Sequence, residues 1–260
     1  MWHDFIKFII ITKSRNMRMR NNFFLACLLA LVCCASCDND KVIKQEGPSS
    51  IVTPTVGSFS TIQAELPLKM SVTIQKGAQA AIKLRGLSNI LDHIKTKVEN
   101  NILFITSDVD GHVSMDSKDI VAEVTMPELK ALYLSFSANA EIHGTINETD
   151  FKTDISGNST VSIDDIKTDK FFYKSVGNSK LDVYKGTTRL AIFSSDGDNK
   201  INAYSLQATE ANVSMKGQGK CEISAVEKLT TDIGSSCALR YKGHPKIAKN
   251  PEGGTVYDAN

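Results

Sequence analysis

Beyond Val52 this sequence holds no helical periodicity longer than two turns; the best candidate, GLSNILDHIKTK (Gly86–Lys97), reads as a turn leading into a strand. That absence excludes helical bundles and folds that alternate strands with helices. A helix that crosses a bilayer needs about 20 apolar residues, and FFLACLLALV (Phe23–Val32) is too short for that. The net charge is only +1, with no basic stripe, so the chain offers little to a polyanion and nucleic acid is excluded as a partner. There is no CxxC, HxH, HExxH, GxSxG or Gly-rich phosphate loop. The usual signatures of zinc, serine-hydrolase and nucleotide chemistry are therefore missing. No catalytic residue, metal ligand or cofactor is assigned.

What is present begins with an export signal. Arg18-Met19-Arg20, the apolar core Phe23–Val32 and the small residues that follow form the three parts of a secretory signal. Its end, Ala35-Ser36-Cys37, resembles the lipobox of bacterial lipoproteins, in which the cysteine becomes the lipidated first residue; Cys34 stands where Leu is commonest. This predicts a signal over 1–37, lipidation at Cys37 and a membrane partner held through acyl chains. Residues 1–16 fit no part of such a signal, and are either an upstream misassigned start or a longer basic leader. Residues 38–54, opening DNDKVIKQEGPSS, read as a flexible tether. Without 1–37 the chain carries 25 Lys and Arg against 28 Asp and Glu, a mildly acidic domain. Cys221 and Cys237 then remain beside Cys37, and form either a disulfide in an oxidising compartment or two buried thiols.

From residue 55 the period is two. KMSVTIQK (Lys69–Lys76) aligns Met70, Val72 and Ile74, and QAAIKLRG (Gln79–Gly86) aligns Ala80, Ile82 and Leu84. TKVENNILFITS (Thr96–Ser107) reads as a hairpin turning at Glu99-Asn100-Asn101. These strands make an N-terminal β part over 55–127. After Pro127 the chain repeats: SGNST (Ser156–Thr160), VGNSK (Val176–Lys180), then Gly197 and Gly217 at the same interval of 20. Such a period is too short for a propeller blade and fits the rung of a solenoid.

Stacking the rungs sorts the residues into columns. Phe151, Phe171, Ala191 and Ala211 form one, and Thr153, Tyr173, Phe193 and Val213 the next. Beyond the glycine come Val161, Leu181, Ile201 and Cys221, then Ile163, Val183, Ala203 and Ile223. The residues between them are mostly polar, as a coil with a dry interior requires. Gly157, Gly177, Gly197 and Gly217 are then corners needing φ > 0. Asn158 and Asn178 lie over one another, spaced for an amide ladder. A Ca²⁺-binding turn is the rival reading of this acid-bearing region, but Asp164, Asp182, Asp196 and Asp198 do not recur in register.

Several stretches together resemble the putative auto-transporter adhesin family with a head GIN domain. They are the lipoprotein signal, FSTIQAELPLKMSVTIQKG (Phe59–Gly77), VENNILFI (Val98–Ile105), MPELKAL (Met126–Leu132), the SGNS rungs and LRYKGHPKI…EGGTVYD (Leu239–Asp258). The resemblance covers about residues 55–258. It implies an all-β, right-handed parallel β-helix-like solenoid over 128–258, capped by the antiparallel N-terminal part. It also implies a Gram-negative outer-membrane lipoprotein facing the periplasm or the cell surface. The function expected is non-enzymatic adhesion to a surface glycan or protein. The alternatives are a structural protein that assembles as a homo-oligomer, or a carbohydrate-active enzyme using outward acids such as Asp182. Tyr184, Tyr204 and Tyr241 either form an outward strip for sugar stacking or cap the edge of the core.

Overall fold

The computed structural model describes residues 46–109, 120–249 and 253–260. Cys37, the signal segment 1–37 and the first part of the tether lie outside the described residues. No helix among the described residues is long and apolar enough to cross a membrane.

The N-terminal part comprises β1 (Ser49–Val52), β2 (Thr61–Ala64), β3 (Lys69–Ile74), β4 (Ala81–Leu87), α1 (Ser88–Leu91), β5 (Ile94–Glu99), β6 (Ile102–Ser107), β7 (Val121–Met126) and β8 (Ala131–Leu134). The expected hairpin is β5–β6, paired from Glu99↔Ile102 to Ile94↔Ser107. Asn100 and Asn101 turn it at φ 50° and 65°, the left-handed geometry that two-residue hairpin turns require and Asn tolerates. The helical candidate shrinks to the single turn of α1, whose Ile90 and Leu91 join the core. The tether is shorter than the sequence suggests. Pro48 and Pro54 make SSIV look like linker, yet β1 pairs antiparallel with β4 over Ser49↔Leu87 to Val52↔Leu84.

The repeat part follows as β9 (Asn139–Gly157), β10 (Thr160–Gly177), β11 (Lys180–Val183), β12 (Gly186–Gly197), β13 (Lys200–Gly217), β14 (Lys220–Ile233), β15 (Ala238–Lys242), β16 (Lys246–Lys249) and β17 (Thr255–Asp258). It is a β-solenoid of about six turns with rungs about 20 residues apart. The long strands bend, and each rung has three faces where the sequence suggests two strands and an unpaired return. A first face follows the corner glycine, with Thr160–Ile163 against Lys180–Val183. A second pairs Ile166–Thr168 with Gly186–Thr188. The third pairs Lys170–Val176 with Leu190–Asp196. The return is therefore laddered too, which leaves few backbone groups without a partner.

All sixteen column residues named from the sequence are buried. Phe151, Phe171 and Phe193 stack through the third face with ring centroids 5.5 and 5.3 Å apart, and Tyr173 meets Phe193 edge-on at 5.8 Å. The first three rungs share the N-terminal strands: β3 lies between β7 and β9 on the first face, and β2 between β6 and β8 on the third.

Candidate functional site

The corner residues are structural. Gly157, Gly177, Gly197 and Gly217 have φ of 79°, 101°, 110° and 82°. They also stack so closely that a Cβ on Gly177 would lie 2.8 Å from the Gly157 carbonyl oxygen, and one on Gly197 2.4 Å from that of Gly177. Backbone approach thus demands glycine as much as the turn does. The amide ladder expected at Asn158 and Asn178 is absent: both side chains are exposed and no hydrogen bond joins them. The inward position is one residue later. Ser159, Ser179 and Asn199 are buried there. Ser159 Oγ donates to the Phe136 carbonyl at 3.1 Å, and Ser175 Oγ donates to Asn199 Oδ1 at 2.8 Å. The stack is held by the backbone and by these hydroxyls.

Cys221 and Cys237 form no disulfide; both are buried free thiols. Cys221 occupies the Ile201 column and faces Leu239 across the ladder, whereas Cys237 sits at a corner with its thiol donating to the Gly217 carbonyl at 3.4 Å. Burial pushes the Cys221 thiol up, keeping it protonated and inert. The three tyrosines separate. Tyr184 is exposed, Tyr204 lies under Lys242 Nζ at 4.7 Å from its ring centre, and Tyr241 turns inward in the Ile223 column. They make no continuous strip. Asp182 is engaged by Lys180 Nζ at 2.7 Å and by Asn202 Nδ2 at 2.6 Å, while Asp198 sits on the exposed corner.

Among the described residues, two of the shallow grooves on the outer surface bear on function. One, of about 510 Å³, crosses the first face beside Lys69, Ser71, Asn139, Glu141 and Ser162 and holds no aromatic ring. The second, of about 450 Å³, lies where the third face begins and is lined by Lys130, Tyr133, Glu148, Asp150 and Lys152 with Ala131 and Thr149. Its walls come from β8 and β9, paired Ala131↔Lys152 to Leu134↔Ile155. Tyr133 projects outward because its neighbours Leu132 and Leu134 take the core side.

The electrostatics of this groove are unrelaxed. Partial burial raises the Glu148 carboxyl, and the nearby Glu128 carboxylate raises it further, against the pull of Lys130. Lys130 is itself committed to Glu128 at 2.6 Å. Asp150 Oδ1 is hidden from solvent and has no hydrogen-bond donor among the described residues, and a buried acceptor left unpaired is costly. Three residues beyond Tyr133, Phe136 exposes 60% of its surface at a φ of 66°, on the corner that later rungs give to glycine. None of these residues stands out in the sequence, because they come from two successive stretches that only the β8–β9 pairing brings together. Among the described residues no three His, Cys, Asp or Glu side chains gather as a metal site.

The coil is similar to several solved structures. A putative adhesin from Bacteroides fragilis shares 22% identity at a TM-score of 0.75, over 82% of this chain and 98% of that one. A putative adhesin from Parabacteroides merdae shares 18% at 0.68, over 83% and 98%. A putative lipid binding protein from Parabacteroides distasonis shares 17% at 0.66, also over 83% and 98%. At these identities the likeness establishes the fold alone. Comparison with curated proteins gives no match. The family described as putative auto-transporter adhesin, head GIN domain, matches residues 58–245, and the chain, with its rungs, corners and N-terminal strands, belongs to that family.

Proposed function

We propose that this chain is a non-enzymatic adhesin module of the bacterial envelope, anchored through a lipidated Cys37 and binding a surface glycan in the third-face groove. The observation that carries the reading is the pairing of a Tyr133 ring with an unsatisfied Asp150 oxygen and a Glu148 carboxyl raised by its surroundings. A pyranose presents C–H groups that stack on an aromatic face and hydroxyls that donate to carboxylates, so it answers both features at once. Lys130 and Lys152 on the rim supply donors for ring oxygens and hydroxyls. The open groove suits a saccharide laid along the surface, with the exposed Phe136 as a second ring on the corner beyond β8.

The test is a glycan-array screen of the chain from Asp38 onward, alongside Tyr133→Ala and Asp150→Ala. Binding is expected in the parent chain and a drop of at least about tenfold in each variant, the loss of one good contact. No glycan bound, or binding that both variants retain, overturns the reading. The anchor is tested separately. Cys37→Ala is expected to move the protein from the membrane fraction to the soluble one, and unchanged membrane retention refutes it.

A further inference from the structure

Four strands lie at the ends of the two outer ladders with a partner on one side only among the described residues: β1 and β5 at the N-terminal end, β16 and β17 at the other. Open edges of this kind pair with other chains unless something blunts them. Three of the four are blunted. β5 carries Lys95, Lys97 and Glu99, engaged with Asp108 at 2.8 Å and with each other at 2.7 Å. β16 opens on an exposed Lys246. On β17 the Arg240 guanidinium lies 5.9 Å from the ring centre of Tyr257, which stays 49% exposed, and the strand ends on the charge of Asp258. By contrast β1 reads SSIV, without a charge, and leaves Ile51 and Val52 54% and 42% exposed.

The described residues that lead into β1 leave that edge open. Gly47, at φ 129°, is tucked against Ser88 and Asn89, and the Ser88 N–H donates to the Pro48 carbonyl at 3.0 Å. The residues leading into β1 are thereby fastened to α1. A hairpin returning along the outer edge would have to reverse at the fastened Gly47-Pro48 step. Prolines at 48 and 54 also fix where pairing can start and stop, since neither has an N–H to donate.

We propose that the outer edge of β1 is a homodimer interface, on which the β1 strand of a second copy pairs antiparallel about a two-fold axis. Opposed residues in an antiparallel pair share a face, so symmetry requires a register centred on one residue. Centring on Ile51 sets it against Ile51 of the second copy on the outer face, and sets Val52 against Ser50 on the core side. The sheets of the two first faces then run on through the junction, and the coils meet by their N-terminal ends. Residues 46–48 of both copies enter β1 at that junction, so two chains held to one membrane by the proposed Cys37 anchor can come together there. The contact is small and weak in free solution. Confinement to one membrane surface raises the effective concentration that drives it. The edge is separate from the third-face groove; only the gain from membrane confinement rests on the proposed Cys37 anchor, and the solution test does not.

The test uses the chain from Asp38 onward, which carries the whole described fold, in sedimentation equilibrium at roughly 0.1 mM, where contacts of this size associate. The average mass is expected to climb toward twice that of the monomer, and Ile51→Lys to return it to the monomer while its thermal melt is unchanged. Ile51→Cys, oxidised with diamide, is expected to give a cross-linked dimer in at least about tenfold higher yield than Ser49→Cys, because the register brings Cα atoms together to about 5 Å only at 51. A monomer at every concentration overturns the proposal. So does association that survives Ile51→Lys, or cross-linking at 49 as efficient as at 51.

Discussion

At the scale of single residues, the corner glycines carry the sharpest demand. Gly197 has a left-handed φ of 110°, and a Cβ there would lie 2.4 Å from the Gly177 carbonyl oxygen and 3.0 Å from its carbon. The conformation alone costs an L-residue about 1–2 kcal/mol, and the obstruction is backbone that two neighbouring rungs hold in place. Gly197→Ala is expected to destabilise by roughly 2–4 kcal/mol in denaturant unfolding, whereas Asp198→Ala, on the exposed corner next to it, stays within about 0.5 kcal/mol. Equal effects at the two positions would refute the stacked-corner account. Phe136 shows the other side of the same rule. It takes the first corner at φ 66°, and its own carbonyl oxygen is what a Cβ on Gly157 would strike. The sequence announces Gly157 through its spacing. It gives no sign of Phe136, since a phenylalanine in a left-handed turn contradicts every local preference.

At the scale of the element, the two faces flanking the glycine were legible because their inward residues alternate without interruption. Val161 and Ile163, then Phe171 and Tyr173, are spaced as a period of two predicts, and all are buried. The second face is illegible in the sequence for a physical reason. Its inward residues include Gly186 and Thr188 beside Ile166 and Leu206, so neither size nor hydrophobicity marks the strand. Thr188 is tolerated inside because its hydroxyl donates to the Asp169 carbonyl at 3.2 Å and accepts from Thr168 at 3.1 Å. The inward Ser159, Ser179 and Asn199 were hidden likewise, since polar residues beside a glycine look like an exposed turn. The groove was less legible still: Tyr133, Glu148 and Asp150 form no local pattern, and their proximity follows only from the β8–β9 register. A rung made of three laddered faces is a removable unit. Deleting Lys180–Asn199 joins Ser179 to Lys200, which takes the column place of Lys180, and is expected to leave a cooperative thermal melt and an undiminished β signature by circular dichroism. Deleting Lys180–Arg189, half of that unit, sets first-face residues against third-face ones and is expected to abolish the melt. Similar behaviour of the two deletions would show that the rungs do not act as interchangeable layers.

At the scale of the whole molecule, a coil whose rungs touch only their neighbours does not have one stability. Strands such as β10, β12 and β13 are paired on both sides over most of their length, while β16 and β17 are paired on one. Opening should therefore start from the end and move inward. That last corner is fastened by one side chain: Asn260 Nδ2 donates to the Gly243 carbonyl at 2.7 Å, and the Gly243 N–H donates to Asn260 Oδ1 at 2.8 Å. Native-state hydrogen exchange is expected to be slowest in β10, β12 and β13 and fastest in β16 and β17. Asn260→Ala should speed exchange in β15–β17 by about an order of magnitude, the effect of losing one or two hydrogen bonds, and leave the central rungs and the main thermal transition where they were. Uniform exchange along the chain, or an Asn260→Ala effect that reaches β10, would mean the coil opens as one cooperative body. The same gradient bears on adhesion: the third-face groove is built on β8 and β9, toward the N-terminal end and away from the fraying strands. A ligand bound there as proposed would sit away from the strands that open first.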